Sequence, residues 1–125
     1  MCRVLVVEDE TIIAMELTYK LRAMGITAVD VADCAGSALH CVRQRPVDVV
    51  FMDVYLAGRR DGIEAAQAIR GICPVPVVFV SASSDRATAQ RASEVGGVAF
   101  LTKPVEDADL REVLNRFCAS VCASA

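Results

Sequence analysis

The chain has 125 residues, 54% of them hydrophobic, and a formal net charge of −3. That length suits one domain with an ordinary core. No apolar run approaches the ~18 residues of a membrane span, and the acidic balance gives no electrostatic basis for binding nucleic acid. Met1 and Cys2 lead straight into Arg3-Val4-Leu5-Val6-Val7, a buried apolar strand, so a secretory signal is not expected. The six cysteines, Cys2, Cys34, Cys41, Cys73, Cys118 and Cys122, form no CxxC pair and read as free, largely buried thiols in a reducing cytoplasm.

The first strand ends in Glu8-Asp9-Glu10. Ile13, Leu17, Leu21 and Met24 then mark one face of a helix, with Gly25 as its C′ residue. Ala28 to Val31 is a short strand. Asp33 is placed to cap a second helix carrying Ala35, Ala38, Leu39 and Val42, which Pro46 stops. Val47 to Met52 lacks alternation, as in a strand buried on both faces of a parallel sheet, and delivers Asp53 to its carboxyl end.

Leu56 to Gly62 is a polar loop. Asp61 and Glu64 have capping-box spacing ahead of a helix with Ala65, Ala66, Ile69 and Ile72 on one side. Val77-Val78-Phe79-Val80 is another buried strand, ending in Ser81. Asp85 to Val95 reads as a weak, alanine-rich helix closed by Gly96-Gly97. Val98 to Leu101 is the last strand, followed by Thr102-Lys103-Pro104, and Leu110, Val113, Leu114, Phe117 and Val121 mark the last helix. No repeat or interdomain linker is visible, so residues 1–125 are expected to form a single domain. Its core spans about 2–118, and 119–125 fray as a tail.

Five alternations of strand and helix call for an α/β fold: a parallel sheet, helices on both faces, right-handed crossovers. All strand carboxyl ends then share one edge, where open α/β sheets place their ligands. That edge collects Glu8, Asp9, Asp53, Ser81 and Lys103. Three carboxylates there repel one another unless a divalent cation intervenes, and hard oxygen ligands suit Mg2+. Lys103 and Ser81 add donors for phosphate oxygens. Asp53, between them, is the natural nucleophile toward phosphorus.

Val-Val-Glu-Asp-Glu at 6–10, Phe-Met-Asp-Val at 51–54, Asp-Gly-Ile-Glu at 61–64, Val-Ser-Ala at 80–82 and Phe-Leu-Thr-Lys-Pro at 100–104 together resemble the receiver domain of bacterial two-component response regulators, of the single-domain chemotaxis type. The resemblance covers nearly the whole chain. It implies a doubly wound, five-stranded parallel sheet in the order 2-1-3-4-5, the flavodoxin-like (βα)5 fold. Asp53 would accept a phosphoryl group from a sensor histidine kinase or a histidine phosphotransfer protein. Glu8, Asp9, Asp53 and the backbone carbonyl of Tyr55 would hold Mg2+. Ser81 would be the switch hydroxyl, Lys103 the phosphate-pairing lysine and Phe100 the switch aromatic, with a cis peptide bond between Lys103 and Pro104. The output would be a surface of the fourth helix, fifth strand and fifth helix.

Four features depart from the family's commonest pattern or tune it. Ser81 stands where threonine is more usual, and Phe100 lacks a hydroxyl, so it can act only by packing. The loop to Gly62 is one residue longer, with Ala57 where proline is frequent. Tyr55 and Ser83 lie two residues beyond Asp53 and Ser81, at positions that tune phosphate lifetime.

Several alternatives stand beside this reading. His40 is read as a surface histidine, Cys118 and Cys122 as unlinked, and Arg59-Arg60 as solvated loop or a partner contact. A Mg2+-dependent phosphatase with an aspartyl nucleophile would want a second acid where Tyr55 stands. A flavodoxin-like cofactor binder would not place Glu8-Asp9-Glu10 at a phosphate loop. The chain could also be a receiver cut from a hybrid kinase, acting as relay or phosphate sink. The expected setting is cytoplasmic, with no membrane or direct nucleic-acid contact and little autonomous enzymatic turnover. The downstream target and phosphorylation-dependent dimerisation stay open.

Overall fold

The structure is a computed structural model and describes residues 2–56, 61–82 and 85–118. Strands and helices alternate along the chain: β1 (Arg3–Val7), α1 (Thr11–Ala23), β2 (Ala28–Ala32), α2 (Ala35–Gln44), β3 (Val49–Asp53), α3 (Gly62–Arg70), β4 (Val77–Ser81), α4 (Arg86–Glu94), β5 (Gly97–Thr102) and α5 (Asp107–Phe117). The strands form one sheet in the order β2-β1-β3-β4-β5, and every pair is parallel. This is the flavodoxin-like architecture that the resemblance implied.

Two cores follow from the two-residue period of the strands. Val4, Val6, Phe51, Val78 and Val80 face one side, where Leu17 and Leu21 of α1 and Leu110, Val113 and Leu114 of α5 cover them. Leu5, Val7, Val50, Met52, Val77 and Phe79 face the other, under Ala38 and Val42 of α2, Ile63, Ala66 and Ile69 of α3, and Ala92 of α4. Both faces of β3 and β4 are therefore apolar, which is why those strands show no alternation: all ten of their residues are buried. β2 and β5 lie at the edges and are only half-buried.

Several local expectations need correction. Cys34, not Asp33, is the N-cap of α2; the Asp33 carboxylate instead accepts from the Ser37 hydroxyl at 3.4 Å. α3 ends at Arg70, so Ile72 lies beyond it and is exposed rather than on its apolar face. α4 begins one residue after Asp85, which is its N-cap and accepts from the Thr88 amide. Half of the proposed capping box is present at α3, where Asp61 Oδ1 accepts from the Glu64 amide at 2.9 Å. Gly25 does follow α1 with φ +100°, a backbone state that glycine adopts without steric cost.

The largest correction concerns the thiols. Cys2 and Cys118 form a disulfide, with 5.5 Å between their Cα atoms, across 116 residues of sequence. Both lie under the α1/α5 face of the sheet, where the start of β1 meets the end of α5. Cys34, Cys41 and Cys73 are free. Ala57, Gly58, Arg59, Arg60, Ser83 and the segment 119–125, including Val121 and Cys122, lie outside the described residues. His40 is exposed, as expected of a surface histidine.

Candidate functional site

Parallel strands bring their carboxyl ends to one edge, and the side chains just past those ends converge there. β1 leads into Glu8 and Asp9. The Glu8 amide donates to the Ala32 carbonyl of β2 at 2.9 Å, so its backbone continues the sheet for one more bond. β3 ends in Asp53. Glu8 and Asp53 are each only 5% exposed, although both are carboxylates. Such burial is costly without compensation.

The compensating cation arrives from β5. Lys103 Nζ donates to Glu8 Oε2 at 3.0 Å and sits 3.2 Å from Asp53 Oδ2. Its backbone amide donates to the Ser81 carbonyl at 2.8 Å, which ties the end of β5 to the end of β4. The Lys103-Pro104 peptide bond is cis. Ser81 ends β4 and is fully buried. Phe100, on β5, is half-buried against the α2/α3/α4 core.

A single lysine does not balance three acids. One carboxylate oxygen each from Glu8, Asp9 and Asp53 lies within 4.8 Å of the others. At that spacing like charges oppose one another strongly in a half-buried setting. Burial pushes the Glu8 carboxyl up from 4.5 to about 7; the bond from Lys103 works against this, while Asp53 adds to it. Burial alone would lower Lys103, but its bond to Glu8 and the charge of Asp53 outweigh this and raise it. Three hard oxygen donors that converge in this way form a donor set able to hold a hard divalent ion such as Mg2+.

The loop after Asp53 is held close. The Tyr55 amide donates to Asp53 Oδ1 at 3.2 Å. The Gly62 amide donates to the Val54 carbonyl at 2.7 Å, and a Cβ at Gly62 would run into the carbonyl oxygen of Asp53. Only glycine lets α3 start this near the acceptor strand. Tyr55 itself is 55% exposed.

Three tertiary links around the site were not anticipated from the sequence. The Tyr55 hydroxyl reaches Thr88 Oγ1 of α4 at 3.3 Å. Arg91 of α4 pairs with Asp61 at 3.1 Å. Lys20 of α1 donates to the Val105 carbonyl at 2.6 Å and lies 3.4 Å from Asp107. Each joins segments about 30 to 90 residues apart, and no local pattern announces such a pair. Asp85 and Thr88, three apart at a helix start, were the one readable hint.

Comparison with known proteins fits this geometry. Residues 4–115 match the response regulator receiver domain family. The chain belongs to that family. A curated relative, the transcriptional regulatory protein PdtaR of Mycobacterium tuberculosis, is 39% identical over 108 residues, which are 86% of this chain and 52% of that protein. The receiver therefore spans about half the length of that relative. The solved receiver domain of NtrX from Brucella abortus superimposes with a TM-score of 0.84 at 33% identity, covering 90% of this chain and 95% of that one. Chemotaxis protein CheY4 of Vibrio cholerae gives 0.85 at 25% identity, covering 94% and 98%. Response regulators interact with histidine kinases, and receivers generally bind Mg2+. Among the described residues, no helix of this receiver is long and apolar enough to cross a membrane.

Proposed function

We propose that Asp53 is the phosphoacceptor of a two-component pathway and that the domain works as a signalling switch rather than a turnover enzyme. The supporting observation is the placement of Lys103 Nζ, 3.2 Å from Asp53 and 3.0 Å from Glu8, beside a third acid. An Asp53 oxygen attacks the phosphorus of a phosphohistidine. The O–P bond forms as the N–P bond breaks, and the imidazole leaves with the electron pair. Lys103 pairs with a phosphoryl oxygen and the Ser81 hydroxyl donates to another. Glu8, Asp9, Asp53 and the Tyr55 carbonyl would hold Mg2+, which offsets carboxylate and phosphoryl charge when bound.

Ile12, Met15 and Tyr19 are exposed on one stripe of α1, which begins directly after the acidic loop. That apolar strip offers packing for a helix of the kinase or phosphotransfer partner beside Asp53. Away from that strip, phosphorylation draws the Ser81 hydroxyl toward the phosphoryl group and repacks Phe100, biasing the α4–β5–α5 surface toward a downstream protein.

Incubation with Mg2+ and acetyl phosphate tests this reading. One adduct of roughly 80 Da, absent from Asp53→Asn and from samples with chelator, supports it. Multiple turnover of phosphomonoesters would favour the aspartyl phosphatase instead, and an unmodified wild-type protein would overturn the assignment.

A further inference from the structure

Hydrogen bonds at the two ends of Tyr55, joined through its side chain, lead from Asp53 to the start of α4 without passing through Ser81 or Phe100. Asp53 Oδ1 accepts from the Tyr55 amide at 3.2 Å. The Tyr55 hydroxyl meets Thr88 Oγ1 at 3.3 Å. Thr88 Oγ1 donates to Asp85 Oδ2 at 2.9 Å, while the other Asp85 oxygen caps α4 by accepting from the Thr88 amide at 2.8 Å. The direction of the run is fixed by proton count. Thr88 has one hydroxyl proton and gives it to Asp85, so the Tyr55 hydroxyl must be the donor to Thr88. Arg91, one turn further along α4, pairs with Asp61 at the other end of the same β3–α3 connection.

The setting makes the Tyr55 bond consequential. α4 buries only Thr88 and Ala92 among its nine residues. A helix with so few buried contacts opens at low free energy, so one hydrogen bond shifts its equilibrium measurably. Thr88 is 7% exposed, so the bond meets α4 at a buried point although the Tyr55 ring is largely in solvent. Arg91–Asp61 is a surface ion pair with both partners substantially exposed and adds little by itself.

We propose that the Tyr55 hydroxyl is a latch that holds the N-terminal turn of α4 to the phosphoacceptor loop in the unphosphorylated protein, and that phosphorylation of Asp53 releases it. The release half rests on the assignment of Asp53 above. Converting the carboxylate to an acyl phosphate moves the negative charge from the carboxyl oxygens to the phosphoryl oxygens. The Tyr55 amide then leaves Asp53 Oδ1 for the more strongly charged phosphoryl oxygens, and the Tyr55 ring is displaced from Thr88 with it. Tyr55 is then a positioning residue acting through α4. Shielding the phosphoryl group from water would be a property of its ring, whereas the latch is a property of its hydroxyl.

Tyr55→Phe separates the two, because it keeps the ring and removes the hydroxyl. Hydrogen exchange of the α4 amides is measured first without any phosphodonor. Losing one hydrogen bond is expected to speed exchange about two- to tenfold in Tyr55→Phe. Thr88→Val, which also loses the bond to Asp85, should exceed it, and the double variant should match Thr88→Val, as for two ends of one bond. Beryllium fluoride with Mg2+ then serves as a phosphoryl mimic. By linkage its affinity rises in Tyr55→Phe by no more than the factor seen in exchange. Unchanged α4 exchange in Tyr55→Phe, or additive single variants, overturns the latch. So does a change confined to the dephosphorylation rate, which is the signature of shielding. If the mimic fails to bind the wild type, the reading of Asp53 fails instead, and the exchange of the resting protein still decides the latch.

Discussion

Glu8 gives the sharpest test of how charge is balanced at the site. Its carboxyl is raised from 4.5 to about 7, first by burial, with Asp53 adding to the effect and Lys103 opposing it. Between those two values the folded protein keeps a proton that the unfolded chain has lost. Stability must therefore fall as pH rises through that window. The contribution is fully present below about 4.5 and gone above about 7. A shift of this size corresponds to at most about 3.4 kcal/mol. Other carboxylates titrate in the same range, so the informative quantity is the difference between wild type and Glu8→Gln, which keeps the shape and cannot ionise. Urea unfolding with chelator present, from pH 4.5 to 8, should give two curves that converge at the acid end. They should separate toward neutrality, with the variant the more stable. Mg2+ reverses the trend for the wild type, because it binds the deprotonated cluster. Stabilisation by excess metal should grow with pH, reaching about 2.7 kcal/mol where free Mg2+ is a hundredfold above its dissociation constant. Parallel curves for wild type and Glu8→Gln would refute the claim that burial holds a proton at Glu8.

Gly62→Ala should cost roughly 3 kcal/mol or more, because the new methyl group meets the Asp53 backbone; an unchanged thermal midpoint would remove the close approach from the account. Lys103→Met deletes the cation shared by Glu8 and Asp53. The initial rate of adduct formation from acetyl phosphate should fall on the order of 10²-fold, and a wild-type rate would show that the lysine does not face the reacting phosphoryl group. Alkylation of the unfolded, unreduced protein should label Cys34, Cys41 and Cys73 and leave Cys2 and Cys118 protected. Reduction should then lower stability by about 5 kcal/mol, the loop-closure value for a cross-link of this span; labelling of Cys2 and Cys118 without reductant would exclude the bond.

The strands were legible because burial on both faces leaves an unmistakable imprint. Val49 to Met52 and Val77 to Val80 can be nothing but apolar when helices cover both sides. Parallel pairing then dictates that Glu8, Asp53, Ser81 and Lys103 share an edge, before any distance is known. What escaped the sequence was contact set by tertiary position alone. Cys2 and Cys118 look like two ordinary apolar-site cysteines until β1 and α5 lie side by side. Thr88 looks like a surface residue of a polar helix until Tyr55 reaches across 33 residues to it. Asp33 was misread for a local reason. Both Asp33 and Cys34 can precede a helix, and the extended backbone that makes an N-cap falls on Cys34.

The sheet order also dictates where a change at Asp53 can travel. On the α1/α5 side, Leu17, Leu21, Leu110 and Leu114 are all buried, and Lys20 bonds α1 to the segment before α5. Motion there would break packed apolar contacts and a hydrogen bond together. On the other side, β5 is an edge strand with no fully buried residue. An open groove of about 140 Å³ lies along its contact with α4, lined by Ala89, Ala92, Ser93, Gly97 and Phe100. The Phe100 ring can shift there at little cost in packing, and β4, whose buried Ser81 carries the end of β5, connects that region directly to the acceptor strand. The least resistant path thus ends at α4 and β5. Native-state hydrogen exchange should rank α4 and β5 below α1 and α5 in protection, before any phosphorylation. Uniform protection across all four elements would leave α4 and β5 without a physical basis as the part of the output surface that yields.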